Sequence, residues 1–219
     1  WLTFVRETMA GGDPVLPLIY GHDLTWQSAL IITRAGKRIA IVGAFEAETV
    51  RRLEAYDEII PYHTGIRQPL VETLDRLAPQ HIAINFSKND TLADGLPYGL
   101  YQVLLGYLQG TPHASRLVSA EGIIAALRGR KTPSEVACIK AAIRTTEEIY
   151  ASVFGYAKAG MSERQIGQFM HDQLDQRRLL PAWDRPHCPI VNAGSDSPVG
   201  HVGPSDIVLE EGGRLWRLD

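Results

Sequence analysis

Two residues of this sequence stand where their chemistry could be used. His201 follows Gly200 in a segment running from Asn192-Ala193-Gly194 to Pro204. An imidazole titrates near neutrality, so it can hand a proton or hydrogen bond to a reacting group. Asp219 closes the alternating run Arg214-Leu215-Trp216-Arg217-Leu218, and a carboxylate is the ligand that a hard divalent cation prefers. Alone, each is ordinary: a loop histidine and a carboxylate at a chain end. The other candidates carry less. His22, in Tyr20-Gly21-His22-Asp23, reads as a surface turn, and His171 as part of a capped helix. His187 beside Cys188 would suit a soft metal but has no partners at ligand spacing. Asp184 and Arg185 could line a groove or belong to a solvated loop. There is no HExxH, GxSxG or phosphate-binding loop, so no competing catalytic motif appears.

The elements that must position these residues follow from local patterns. Up to about residue 110, strand and helix signals alternate. Ala29–Thr33, a turn at Ala35-Gly36-Lys37 and Arg38–Val42 read as a β-hairpin. Helices are expected on Ala47, Val50 and Leu53, and on Leu70, Val71, Leu74 and Leu77, with a short strand at Ile59-Ile60 between them. His81–Phe86 reads as a buried strand and Leu96–Leu108 as a helix. Mixed strands with interleaved helices predict a three-layer α/β sandwich.

The Gly-, Pro- and Ser-containing stretch from Gln109 to Ser119 marks the expected boundary, giving domains 1–118 and 119–219. Thr132-Pro133-Ser134-Glu135 then combines a capping hydroxyl, a proline in the first turn and a glutamate that can reach back to the cap. A long stripe follows at Val136, Ile139, Ile143, Tyr150, Val153 and Ala157, ended by Gly160. Ser162–Gln165 opens a second capped helix with Ile166, Phe169, Met170 and Leu174 inward. Pro189–Asn192 and Leu215–Asp219 read as strands.

The 219 residues carry a net charge of −3, with 45% hydrophobic and 21% charged residues. This balance predicts a globular core and gives no reason to expect nucleic acid or membrane as partner. No long uncharged apolar run is present. Cys138 and Cys188 form no CxxC pair and read as inert thiols, compatible with a cytoplasmic location. Both ends read as cuts inside strands, so we expect a piece of a longer protein.

Several stretches together resemble the Xaa-Pro aminopeptidase/prolidase/creatinase family of pita-bread metallopeptidases. Leu127-Arg128, Lys131-Thr132-Pro133-Ser134-Glu135 and Ile139-Lys140-Ala141-Ala142 are similar to that family's entry helix, and Gly160-Met161-Ser162-Glu163 to its following turn. Asn192-Ala193-Gly194 with Gly200-His201 and Pro204, then Leu209–Gly213 with Leu215–Asp219, match two later motifs in order. The similarity covers roughly Ala125–Asp219. A looser one, at Asn85-Phe86-Ser87 and Ala93–Leu96, points to a creatinase-type N-terminal domain.

This resemblance implies a whole N-terminal α/β domain followed by the first part of an α+β pita-bread catalytic domain. It implies a hydrolase of the peptide bond preceding proline, acting on peptides as a homodimer. Its alternatives are a creatinase-like hydrolase of a small C–N bond and a peptide-binding module without metals. In the family pattern Asp219 is the first carboxylate of a site for two divalent ions, manganese or cobalt first and zinc as the alternative. His201 is there no ligand but a donor to substrate or intermediate. Two ions lower the pKa of a shared water and clamp a tetrahedral intermediate. Arg214 stands where the family usually has an acidic residue. The family's other ligands fall after residue 219, so this polypeptide alone is expected to be inactive and to hold no metal pair.

Overall fold

A computed structural model describes residues 1–212, 217 and 218. The chain forms two compact units, Trp1–Arg130 and Lys131–Asp219.

The first unit is built on a six-stranded sheet. Its strands are β1 (Leu2–Val5), β2 (Ser28–Ile32), β3 (Arg38–Gly43), β4 (Glu58–Tyr62), β5 (Ile82–Ile84) and β6 (Leu117–Ser119), in the order β4-β3-β2-β1-β5-β6. Only β2 runs against its neighbours; β3–β4, β1–β5 and β5–β6 pair in parallel. The expected hairpin is present in the register Ala29↔Ile41 and Ile31↔Ile39, closed by Gly36 at φ +84°, a conformation that glycine adopts freely. Alternation along the strands sends side chains to both faces. Leu2, Phe4, Ile31, Ile39 and Ile41 pack against α3 (Arg67–Leu77) and α4 (Tyr98–Leu108). On the other face Val5, Leu30, Ala40 and Val42 pack with α1 (Leu16–Ile19) and α2 (Ala47–Arg52). The three-layer sandwich is therefore as the pattern required.

Two boundaries differ from the sequence reading. The expected strand 81–86 shortens to Ile82–Ile84, because the Asn85 side chain turns inward to Thr3 Oγ1 (3.1 Å) and Asp13 Oδ2 (2.6 Å). The units also divide after Arg130 rather than at 118/119. β6 is paired to β5, and Ile124 of α5 (Glu121–Gly129) is buried with Val15, Ala93 and Ala120, so these residues complete the first core.

The second unit contains α6 (Pro133–Tyr156), α7 (Glu163–Gln176), β7 (Val191–Asn192) and β8 (Arg217–Leu218). Both helices start on the expected capping boxes: Thr132 with Glu135, and Ser162 with Gln165. Their core joins Ile149 and Val153 of α6 to Ile166 and Met170 of α7 and Val191 of β7. Tyr156 stacks on Phe169 with ring centroids 3.9 Å apart. Only the second half of the α6 stripe is covered, since Val136, Ile139 and Ile143 are exposed. Among the described residues no helix is long and apolar enough to cross a membrane.

Candidate functional site

The segment carrying His201 is held at the start of α7. Glu163 is the first residue of that helix, where a negative charge is favoured by the helix dipole, and it is only 1% exposed. Its Oε1 accepts from the Ala193 amide (3.0 Å) and from the Ser197 hydroxyl. Its Oε2 accepts from the Ser205 amide (3.0 Å) and the Ser205 hydroxyl (2.6 Å). Burial by itself would raise this carboxyl. The Ser197 and Ser205 hydroxyls, with the Ala193 and Ser205 amides, outweigh it and hold the group below the usual glutamate range. One carboxylate thus ties together the entry and the exit of the loop 193–205.

The exit segment also satisfies α7's free amides, which every helix must place somewhere. Glu163 N donates to Ile207 O and Arg164 N to Ser205 O, both at 2.9 Å. Inside the loop, the Ala193 and Gly194 amides donate to Ser197 Oγ at 3.1 and 3.3 Å. Two glycines let neighbouring segments approach, one by backbone and one by a proline ring. A Cβ on Gly203 would lie 2.1 Å from the Pro186 carbonyl oxygen, and one on Gly167 would lie 2.8 Å from Pro204 Cγ. His201 itself is exposed and makes no hydrogen bond to the described residues.

The turn beneath Gly203 is anchored separately. Arg185 grips Asp175 of α7 at 2.8 and 2.6 Å, Trp183 Nε1 donates to His187 O at 2.9 Å, and His171 Nε2 meets Cys188 O at 2.5 Å. His187 Nδ1 is bonded to Asp184, which lowers the Asp184 carboxyl. Arg185 and Asp184 therefore serve the turn itself. Cys188 is buried, Cys138 exposed, and both thiols are free. His22 sits in an exposed turn, edge-on to Tyr20.

Asp219, the expected metal ligand, lies outside the described residues. Leu218 before it pairs with Val191, and Arg217 with Asn192, so the strand leading to Asp219 runs beside the strand that enters the His201 loop. Among the described residues no three His, Cys, Asp or Glu side chains converge as a metal site would need. Sequence reasoning missed the part played by Glu163. Its partners stand 30 to 42 positions away, and nothing local announces them. A cavity of about 710 Å³, lined by Trp1, Ile31, Leu74, Leu77, Ile82 and Ile123 among others, belongs to the first unit and holds none of these residues.

No protein-family model and no curated protein matches the sequence. Solved structures do match the fold. An X-Pro aminopeptidase from Thermotoga maritima MSB8 superposes with a TM-score of 0.60 at 18% identity, over 97% of this chain and 56% of that one. An Xaa-Pro dipeptidase from Bacillus anthracis gives 0.60 and 18% over 97% and 53%, and a putative aminopeptidase P from the same organism 0.64 and 15% over 97% and 54%. The chain thus spans about half the length of these structures. Its fold is that of the corresponding part of Xaa-Pro aminopeptidases and prolidases.

Proposed function

We propose that this chain supplies the N-terminal domain and the first part of the catalytic domain of a metallopeptidase that cleaves the peptide bond preceding proline. The observation that carries this reading is the fold likeness over 97% of the chain to enzymes described as X-Pro aminopeptidase and Xaa-Pro dipeptidase. It is supported by His201, which stands exposed on a loop whose stems are fixed to a helix.

On this reading the substrate is a peptide with proline after the scissile bond, and the enzyme works as a cytoplasmic homodimer. Two divalent ions, manganese or cobalt before zinc, supply water activation and charge stabilisation when bound. Asp219 is the one residue of this chain assigned to them. The described residues offer no further ligand cluster, and no other role toward the ions is given to them. What the chain does contribute is a preset donor. The anchored loop presents the His201 imidazole to the oxygen that gains charge or to the departing amine, where a hydrogen bond strengthens as the transition state forms.

Steady-state kinetics of the complete enzyme on an Xaa-Pro dipeptide, with metal content measured on the same samples, test the assignment. His201→Ala should lower turnover by about 10²–10³, as loss of one oxyanion donor does, with little change in substrate affinity or metal content. Asp219→Ala should lower metal occupancy and activity together. Loss of metal from His201→Ala with retention in Asp219→Ala would reverse the two roles.

A further inference from the structure

We propose that Glu163 is the positioning residue of this site, the group that fixes where His201 stands. The catalytic half of this proposal rests on the reading of His201 above; the structural half does not.

His201 lies four residues from Ser197 and four from Ser205, and both serines end on the same carboxylate. Because His201 is exposed and unbonded to the described residues, its place is set by the loop stems rather than by contacts of its own. Those stems meet at one point. Four donors from Ala193, Ser197 and Ser205 converge on two oxygens, so losing that point releases entry and exit together. The donors are all neutral. Arg164, the nearest cation along the helix, is paired with Asp206 on the surface (3.0 Å), so it does not draw on Glu163.

Only an ionised carboxylate meets this demand. A glutamine has a single acceptor oxygen and would turn its NH₂ toward two further donors, leaving buried N–H groups opposed. An aspartate is one methylene shorter and cannot span both stems from the same backbone position.

Amide hydrogen exchange on the 219-residue chain tests the structural half. In Glu163→Gln the Ala193 and Ser205 amides should exchange about tenfold faster or more, while amides in the middle of α6 keep their protection. Ser197→Ala and Ser205→Ala should each give a smaller change, and they carry the test if Glu163→Gln does not fold. His201→Ala should change none of these amides. In the complete enzyme Glu163→Gln should lower kcat toward the His201→Ala level with KM within a few-fold. The double variant Glu163→Gln/His201→Ala should be no slower than His201→Ala, because both remove one function. Wild-type exchange at both amides in Glu163→Gln overturns the proposal, and so does a loss in the double variant equal to the product of the single losses. If His201→Ala turns over at the wild-type rate while the exchange results hold, the error lies in the reading of His201. Glu163 is then an anchor of the loop, and its catalytic half is overturned.

Discussion

The contact between Gly203 and Pro186 makes a sharp demand on the second unit. A methyl group on Gly203 would sit 2.1 Å from the Pro186 carbonyl oxygen, whereas ordinary contact begins near 3.4 Å. The obstacle is backbone, so no side-chain rotation relieves it, and the two segments must separate by more than 1 Å. Neither yields freely. Proline fixes its own φ, and the turn around it is tied by the bidentate Arg185–Asp175 pair and by the His187 and Cys188 amides donating to Asp184 O at 3.0 and 3.1 Å. On the other side, Pro204 fills the notch at Gly167 and Ser205 is bound to Glu163. Forced overpacking of this kind costs about 1–3 kcal/mol. Gly203→Ala should therefore destabilise the second unit by that amount, read as a lower urea midpoint with an unchanged slope. Gly194→Ala is the control. Its added methyl meets nothing within 4 Å, so it should stay within about 0.5 kcal/mol of wild type. A Gly203→Ala protein as stable as Gly194→Ala, with the Ser205 amide equally protected, would refute the close approach and with it the seating of the His201 loop on the 183–188 turn.

Other outcomes follow from single features. Thr132→Ala removes the oxygen that caps α6 and should cost about 1 kcal/mol in thermal or urea unfolding, while Ser134→Ala should cost less; equal effects would deny the box. Hydrogen bonds from Arg38 hold the Asp57 carboxyl down to about 2. The stability it lends is therefore present above the unfolded value near 3.9 and fades as pH falls toward about 2, so Asp57→Asn should flatten the acid limb of the stability profile there. Because the pair is exposed, the effect should shrink in salt. Trypsin should make its first cut at Arg130 or Lys131, between the units; a first cut within 109–119 would favour the earlier boundary.

What could be read from the sequence was whatever has a local signature. Thr132 and Ser162 announce their helices within four residues, Gly36 announces a hairpin, and strands interleaved with amphipathic helices announce a sheet with two covered faces. Boundaries failed where a distant partner decides. β5 ends at Ile84 because the Asn85 side chain is drawn to Thr3 and Asp13, more than 70 positions away. Likewise β6 and α5 join the first unit through contacts with β5, Val15 and Ala93, although the Gly/Pro-rich stretch before them reads as a linker.

The same division runs through the site. The motif around His201 marks the residue as a candidate, but nothing within it says how the loop is held. Its own bonds, from Ala193 and Gly194 to Ser197 Oγ, shape one short turn and leave the path from Ser197 to Ser205 open. That path is closed by a glutamate whose local sequence setting already has an adequate explanation as a first-turn acid on a capped helix. Such an explanation accounts for an exposed side chain with a few tenths of a kcal/mol to gain. It does not account for one that is 1% exposed and receives four donors. A buried charge persists only where hydrogen bonds replace the water it has lost, so the depth of Glu163 is itself the sign that the loop, and not the helix, is what this carboxylate serves.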